Sequence, residues 1–156
     1  MKLTIIDVIN KLPNWATSAS DEYLSRIHHG QYACKMIDIQ VSKNNHKTPL
    51  ENMLFEAKKI TTQIPKDSFQ IALDEKGKSF SSIDFANHLS QITLTHSHIT
   101  FIIGGADGLH STVKSNAHQT LTLSKFTYPH ALARVVLLEQ IYRAITILEH
   151  HPYHRE

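Results

Sequence analysis

Three glycines follow a strongly apolar run, in the pattern Gly104-Gly105-x-x-Gly108 after residues 99–103. Glycine permits backbone dihedrals that other residues avoid, and it lets a ligand approach the main chain closely. The spacing is not that of the dinucleotide-binding fingerprint, and no Gly-Lys-Ser/Thr ends it as a phosphate-binding P-loop requires. The motif therefore indicates either a small-molecule contact at the end of a strand or an ordinary tight turn.

A second stretch with unusual composition, residues 121–130, reads LTLSKFTYPH. Its hydroxyls, backbone groups and aromatic rings could surround a purine-like ligand. The alternative is a plain strand-to-helix loop with proline in the first helical turn, and composition alone favours this alternative.

Arg134 and Arg143 fall within an otherwise apolar segment that is predicted to be helical. Glu139 precedes Arg143 by four residues, so a surface ion pair is one interpretation. The other is that an arginine on such a helix reaches a cleft or a partner, where its planar guanidinium suits phosphate or carboxylate groups.

The C-terminal residues 150–156 read HHPYHRE. A frayed terminus is the ordinary interpretation. A zinc site is disfavoured because Pro152 breaks the helical spacing and no Asp or Cys joins the histidines, so we expect no metal. The third interpretation is a nucleic-acid contact, because tyrosine can stack on a base, arginine can bind phosphate and histidine can move a proton. The residue types alone do not separate the first interpretation from the third.

Alternating strands and helices are predicted to position these segments. The predicted strands are residues 2–9, 32–41, 68–74, 99–103 and 119–124, with an exit loop at 75–78 after the third. The predicted helices are residues 14–29 (ended by Gly30), 49–64 (capped by Thr48), 82–92 (capped by Ser81 and Asp84), 111–117 and a long one from Pro129, with a polar loop at 42–47. This alternation predicts one α/β domain over residues 1–156, with a mainly parallel sheet flanked by helices. Ligands of such sheets bind at the carboxyl ends of the strands, where the loops with unusual composition would lie.

The last helix is apolar around nearly its whole circumference over residues 132–148. Such a helix must be buried on more than one side. It is either wholly internal or packed between the sheet and a second subunit, and the small size of the chain favours a dimer.

Length, charge and cysteine content indicate which classes of protein the chain can belong to. The chain has 156 residues, a net charge of +2 with histidine neutral, and 12 histidines. Its single cysteine, Cys34, excludes an internal disulfide and is expected to be a small core residue. No signal peptide is recognisable and no apolar run approaches membrane-spanning length, so we expect a cytoplasmic protein without a membrane partner.

Taken together, these segments resemble the ribosomal large-subunit methyltransferase H family, a small SPOUT family. The matching motifs are Leu73-Asp74-x-x-Gly77-Lys78, Phe101-Ile102-Ile103-Gly104-Gly105-x-x-Gly108, Leu123-Ser124-x-x-Thr127-x-Pro129-His130-x-Leu132-x-Arg134, Leu138-Glu139-Gln140-x-Tyr142-Arg143-Ala144 and Tyr153-His154-Arg155. The resemblance covers essentially the full chain and is most specific in its last third.

The resemblance implies a C-terminal trefoil knot and a homodimer that binds S-adenosyl-L-methionine in the knot. Carried over by motif, the cofactor contacts are Leu73, Gly104, Gly105, Leu123, Ser124, Lys125, Phe126, Thr127 and Tyr128. It further implies that the substrate is a pseudouridine of 23S rRNA in the assembled ribosome, methylated at N3. The C-terminal residues of one subunit would complete the site of the other.

The side-chain chemistry suits that activity. His154 is the first candidate for a base that accepts the weakly acidic imide proton, and His130 is the second. Arg143 and Arg155 would hold phosphates or offset the developing charge. Tyr153 would stack on or position the base.

Two other functions stay open at this stage. One is a SPOUT enzyme with a different RNA target, such as tRNA. The other is a non-catalytic, dimeric ligand-binding protein associated with the ribosome. Neither interpretation calls for DNA as a partner.

Overall fold

Five strands form the sheet in the computed structural model, which describes residues 1–28, 31–41 and 48–155. The strands are β1 (Lys2–Val8), β2 (Ala33–Ile39), β3 (Phe69–Lys78), β4 (His98–Ile103) and β5 (Gln119–Leu121). Their order across the sheet is β2-β1-β4-β3-β5, and all four pairings are parallel. The predicted α/β architecture is confirmed.

Four helices connect the strands, and a fifth follows β5. They are α1 (Asn14–Ile27), α2 (Pro49–Gln63), α3 (Ser82–Thr93), α4 (Ser111–Asn116) and α5 (His130–Leu148). The predicted caps of α2 and α3 are confirmed: the Thr48 hydroxyl accepts from the Glu51 amide and the Ser81 hydroxyl accepts from the Asp84 amide. Thr48 and Glu51 form a full capping box, because the Glu51 carboxylate also accepts from the Thr48 amide.

The sheet has an apolar core on each face. In β4, Ile99, Phe101 and Ile103 face the larger core with α3 and α5, whereas Ile102 faces the smaller core with α2 and α4. A strand that is apolar on both sides is expected where helices cover both faces of a parallel sheet. Cys34 is buried in the larger core as predicted, and this burial raises the pKa of its thiol to about 12.

Helix α5 is covered on several sides within its own chain. It packs against α1 and α3, and Leu137, Leu138 and Ile141 are fully buried. Leu132 at its start is exposed on 36% of its surface. Contacts within the chain therefore explain much of the apolar circumference of α5, and a second subunit stays a prediction. No helix in the described ranges is long and apolar enough to cross a membrane.

The third and fifth strands differ from prediction. The segment 75–78, predicted as an exit loop, belongs to β3, and β5 ends at Leu121 rather than Ser124. The ladder between them shifts register after Leu73 and resumes with Lys78 opposite Leu121. Gly77 makes this approach feasible, because a Cβ at that position would lie 2.5 Å from the Leu121 carbonyl carbon.

The remaining boundaries differ by a few residues at element ends. Helix α1 ends at Ile27, β2 spans Ala33–Ile39, and Pro129 precedes α5 as its N-cap. The predicted helix end at Gly30 and the predicted polar loop 42–47 lie outside the described residues.

Candidate functional site

A cleft of about 690 Å³ opens beside residues 73–76 of β3 and the carboxyl ends of β4 and β5. These strands are neighbours in the sheet, so the loops that follow them meet at one edge. The volume lies within the range of small-molecule sites. The cleft is lined by residues 73–76, 103–109 and 121–128 together with Lys114, His130 and Ala133.

A tight turn, residues 104–108, forms one wall of this cleft. The Gly108 amide donates to the Gly105 carbonyl at 3.0 Å, and Gly108 has a φ of +82°. Few residues other than glycine adopt that φ without strain. A Cβ at Gly104 would lie 2.6 Å from the Gly108 carbonyl carbon, so this turn cannot close around a side chain. A Cβ at Gly105 would instead meet Val8 at an ordinary 3.4 Å.

The opposite wall is the loop of residues 121–128, which is fixed by its own side chains. The Thr122 hydroxyl donates to the Ser124 carbonyl at 2.8 Å, and the Ser124 hydroxyl accepts from the Phe126 amide at 2.9 Å. The Phe126 ring is 82% exposed. The loop therefore presents backbone groups and an unburied aromatic ring in an ordered form.

A charged pair of Asp74 in β3 and Lys114 in α4 lines the cleft. Lys114 Nζ lies 2.9 Å from Asp74 Oδ2, and the Lys76 amide donates to Asp74 Oδ1. These two hydrogen bonds, that of Lys114 first, lower the pKa of the Asp74 carboxyl below its usual range. The carboxylate is thus held ionised beside the cleft.

A histidine that lines the cleft contacts a buried carboxylate. His130 Nε2 lies 2.6 Å from Asp7 Oδ1, and Asp7 is fully buried. Asp7 Oδ2 accepts from Arg134 Nη1 at 3.0 Å, and the same nitrogen lies 2.6 Å from Asp38 Oδ1. Arg134 Nε also donates to the Ser20 hydroxyl at 3.3 Å.

This arrangement corrects one expectation from sequence and reveals one omission. Arg134 was expected to reach a cleft or a partner, but it is buried and spans three elements of its own chain. Asp7 was not identified as a site residue, although an acid inside an apolar strand is a signal that it has a buried partner.

A second group of side chains, the tail cluster, lies on α5 away from the cleft. It consists of Glu139, Tyr142, Arg143, Tyr153 and His154. Arg143 donates to Glu139 Oε1 at 2.9 Å from Nε and 2.6 Å from Nη2, so the predicted ion pair is present. Tyr153 Oη donates to the same oxygen at 3.2 Å, and the Arg143 guanidinium lies 4.8 Å from the Tyr153 ring centre.

His154 is held by the same arginine. Its Nδ1 lies 3.2 Å from Arg143 Nη1. Because a guanidinium only donates hydrogen bonds, His154 Nδ1 acts as the acceptor and its proton is on Nε2. In this arrangement the basic nitrogen of His154 is already engaged.

The pKa values of two groups of the tail cluster are shifted, for different reasons. Burial raises the pKa of the Tyr153 phenol first, and hydrogen bonding to Tyr23 and the charge of Glu139 add to it. The hydrogen bond to Glu139 raises the pKa of the Arg143 guanidinium. Tyr153 therefore stays a neutral donor and Arg143 a full cation.

The end of α5 turns the chain back onto the helix. His150 adopts a φ of 55°, its amide donates to the Ile147 carbonyl at 3.1 Å, and the His151 amide donates to the Thr146 carbonyl at 2.8 Å. This pair of bonds is a Schellman motif with histidine where glycine is usual. Residues 153 and 154 then pack against α5, so the frayed-terminus interpretation is not supported for them.

The predicted site residues fall into two places. All nine predicted cofactor-binding residues and His130 line the cleft. Arg143, Tyr153 and His154 lie together in the tail cluster, while Arg155 is exposed at its end. His130 and Arg143 are 13 positions apart on α5, which is about 20 Å along a helix axis.

Within residues 1–28, 31–41 and 48–155, no group of three or more His, Cys, Asp or Glu side chains could hold a metal ion. The expectation of a site without metal stays a prediction.

Comparison with known proteins matches residues 1–154 to a family described as a predicted SPOUT methyltransferase. Among curated relatives, the chain is 46% identical over 156 residues to the Ribosomal RNA large subunit methyltransferase H of Polynucleobacter asymbioticus, with both chains fully covered. Proteins of the same name from Legionella pneumophila (strain Paris) and Neisseria gonorrhoeae (strain NCCP11945) are 41% and 39% identical, over 99% and 100% of both chains.

Proposed function

The chain belongs to the SPOUT methyltransferase family, and from this premise we propose that it methylates the RNA of the large ribosomal subunit with S-adenosyl-L-methionine as the donor. One observation carries the proposal: full-length relatives at 39–46% identity bear the name of such an enzyme. We further propose that the acceptor is N3 of a pseudouridine in 23S rRNA and that the enzyme acts in the cytoplasm on assembled ribosomes.

The cleft suits the proposed cofactor. The turn at 104–108 brings backbone groups to the cleft surface where a Cβ at 104 would collide with the main chain. The loop 121–128 adds hydroxyl groups and the exposed Phe126 ring, which match a ribose and a purine. When bound, the cofactor supplies an activated methyl group, and no metal is needed for its transfer.

Methyl transfer to N3 depends mainly on position, because the methyl carbon must lie in line with the accepting nitrogen. The N3–H of pseudouridine is weakly acidic, so a base close to the cleft accelerates the reaction. His130 lines the cleft of its own chain, and its contact with Asp7 supports it as this base. His154, the first candidate from sequence, has its acceptor nitrogen on Arg143.

The tail cluster takes part through a second subunit in this proposal. The roughly 20 Å that separate His130 from Arg143 along α5 keep the two groups apart within one chain. In a homodimer, the C-terminal residues of one subunit would lie over the cleft of the other, where Tyr153, Arg143 and Arg155 would hold the RNA. Membership of the family also implies a knotted C-terminal half.

Electrostatics favours a large, shaped substrate over a short RNA. A net charge of +2 provides few phosphate contacts, and affinity for RNA from such contacts falls steeply with salt. We therefore expect weak binding to an isolated stem-loop and productive binding to the ribosome. Tight, salt-insensitive binding to the isolated stem-loop would count against this view.

The decisive experiment is mass spectrometry of 23S rRNA from a strain that lacks the gene. We expect the N3-methylated pseudouridine to disappear and to return when the wild-type gene is supplied. A Gly104→Ala gene should fail to restore it, whereas a Gly105→Ala gene should succeed because its Cβ finds ordinary contacts. Retention of the methylated nucleotide in the deletion strain would reject the proposed acceptor.

Calorimetric titration with S-adenosyl-L-methionine tests the cofactor separately. Saturable binding to one site per chain is expected. Absence of binding would reject the enzyme in favour of a non-catalytic ribosome-associated protein. Binding together with loss of a tRNA methylation, rather than an rRNA methylation, in the deletion strain would identify another SPOUT activity.

A further inference from the structure

We infer that Asp7 is a positioning residue that fixes the tautomer and orientation of His130, so that His130 Nδ1 serves as the proton acceptor of the cleft. The inference rests on the proposed function for its catalytic meaning, but the geometry behind it is independent of any substrate. Arg134, which also bonds Asp38, holds Asp7 in place.

Asp7 has the environment of a fixed carboxylate. It lies in β1, one residue before the strand ends, and its side chain is fully buried. Each of its two oxygens has a partner from α5, His130 at 2.6 Å and Arg134 at 3.0 Å. A buried carboxylate with hydrogen bonds to both oxygens cannot rotate without losing one of them.

Arg134 ties this carboxylate to three elements. Its guanidinium bonds Asp7 in β1, Asp38 in β2 and Ser20 in α1, at 3.0, 2.6 and 3.3 Å. Asp7 and Asp38 are paired in register in the parallel ladder, so one arginine spans both carboxylates. The network is therefore built on rigid strands and on the first turns of α5.

The contact with Asp7 decides which nitrogen of His130 carries its proton. An ionised carboxylate only accepts hydrogen bonds, so His130 Nε2 carries the hydrogen and donates it. In the neutral ring, Nδ1 is then left as the acceptor. Since the side chain is 26% exposed and lines the cleft, its basic nitrogen is the one available to a ligand there.

The carboxylates of the network also provide a counter-charge during the proposed step. Two carboxylates, Asp7 and Asp38, face one guanidinium, that of Arg134, so these three groups sum to one negative charge. An imidazolium next to Asp7 neutralises that charge. The carboxylate thus stabilises the cation that forms when His130 accepts a proton, as in a carboxylate–histidine pair of a hydrolase.

Atoms and electrons balance in the proposed step. The N3–H bond of the pseudouridine breaks, and its proton moves to His130 Nδ1. The electron pair left on N3 forms a bond to the methyl carbon as the bond from that carbon to the sulfonium sulfur breaks. The electron pair of the broken bond stays on sulfur, and the proton leaves His130 to solvent before the next turnover.

The first test observes the tautomer in the unmodified protein by long-range proton–nitrogen NMR at mildly alkaline pH, where imidazole is neutral. We expect the Nε2–H form of His130, with an unprotonated Nδ1. A predominant Nδ1–H form, or a rapidly exchanging mixture of both forms, would overturn the inference. This measurement needs no RNA and no turnover, so it tests the tautomer assignment even if the proposed acceptor is wrong.

The second test replaces Asp7 by asparagine and compares this variant with Asp38→Asn. With Arg134 holding the oxygen of the new side-chain amide, the amide nitrogen would donate to His130 and force the proton onto Nδ1. We expect Asp7→Asn to lower kcat about 100- to 10,000-fold with little change in KM for the ribosome or in cofactor affinity. Asp38→Asn also removes one carboxylate from Arg134 but leaves the His130 contact, so its loss should be less than about tenfold.

A double substitution shows whether Asp7 acts through His130. His130→Gln should lower kcat to a similar level, and adding Asp7→Asn to it should cost nothing more. If the two losses multiply, or if Asp7→Asn and Asp38→Asn lower kcat equally, Asp7 has only a structural role and the inference fails. Should Asp7→Asn not fold, the tautomer of His130 in the wild-type protein still gives the answer.

Discussion

The cleft and the tail cluster differ in what holds their functional groups. In the cleft, the main chain is held in shape: a glycine turn tolerates no Cβ at 104, and the hydroxyls of Thr122 and Ser124 bond to the main chain of their own loop. In the tail cluster, the geometry comes from side chains that converge on one oxygen of Glu139. The difference teaches where each region is sensitive: the cleft to added volume, the tail cluster to the loss of a functional group.

The two regions also differ in how much they depend on the rest of the fold. Three neighbouring strands fix the cleft, and Asp7 and Arg134 connect its floor to β1, β2 and α1. The tail cluster depends mainly on α5, where Tyr153 and His154 contact residues 11 to 14 positions earlier, and it has one further contact with Tyr23 of α1.

Among the effects that separate the cleft from the tail cluster, the largest is on cofactor affinity, from Gly104→Ala. The added Cβ would lie within 2.9 Å of three backbone atoms of Gly108 and Leu109, so the turn must open. Overpacking of up to about 3 kcal/mol corresponds to a loss of affinity of about 100-fold. Isothermal titration calorimetry with S-adenosyl-L-methionine measures it.

Gly105→Ala is the matched control: Gly105 would contact the cofactor through its backbone, and the added Cβ would meet only Val8 and Glu56 side-chain atoms, the nearest at 3.4 Å. We expect its affinity for the cofactor to stay within about threefold of that of the wild type, a change in binding free energy of less than about 1 kcal/mol. Equal losses in the two variants would show that the glycine turn is not selected for its backbone geometry. Substitution of Tyr153 and His154 by alanine should leave cofactor affinity unchanged, which separates the regions.

The next effect concerns the proposed sharing of sites between subunits. One variant carries Gly104→Ala, and the other carries Tyr153→Ala with His154→Ala. Each should methylate ribosomes slowly by itself. After subunit exchange at equal concentrations, half of the dimers are mixed. In each mixed dimer, one of the two sites combines an intact cleft with an intact tail. About one quarter of the wild-type rate should therefore return.

The control for this mixing experiment omits the exchange, by combining the two variants immediately before the assay. A tail that served its own chain would give no recovery under either condition, since the intact cleft and the intact tail then never belong to the same chain. That result would contradict the shared site while leaving the methyltransferase activity itself in place.

Local signals in the sequence predicted much of the fold. The cap Thr48-Pro49 begins α2, and the apolar run of residues 99–103 is the buried centre of β4. These features depend on neighbours a few residues away, so propensity and periodicity suffice to find them. The cofactor residues followed from their motif, and the cleft collects all nine of them.

Contacts between distant residues could not be predicted in this way. The continuation of β3 through Gly77 depends on its approach to Leu121, 44 positions later. The bond between Asp7 and Arg134 joins residues 127 positions apart. In the local sequence, Asp7 is only an acid in a strand and Arg134 is only an arginine on a helix. The folded chain is what brings these two residues together.

The smallest expected effect is on the stability of the fold. It comes from the ion pair of Asp74 and Lys114 in the cleft. Lys114 lowers the pKa of the Asp74 carboxyl in the folded protein, so the pair stabilises the fold above the ordinary carboxyl pKa of about 3.9. This stabilisation is lost as the pH falls through the lower folded value. Because the Lys114 side chain is 38% exposed, solvent screening limits it to less than about 1 kcal/mol.

Urea unfolding of the wild type and of Lys114→Met, near neutral pH and at about pH 3, measures this contribution. Lys114→Met should be less stable than the wild type near neutral pH. The difference in their free energies of unfolding should become smaller in acid, because Asp74 becomes protonated. Lys125→Met serves as the control, since Lys125 is an exposed lysine of the same cleft. Lys125→Met should match the wild type at both pH values. If Lys114→Met is destabilised equally at the two pH values, Lys114 stabilises the cleft by the packing of its aliphatic stem rather than by its charge.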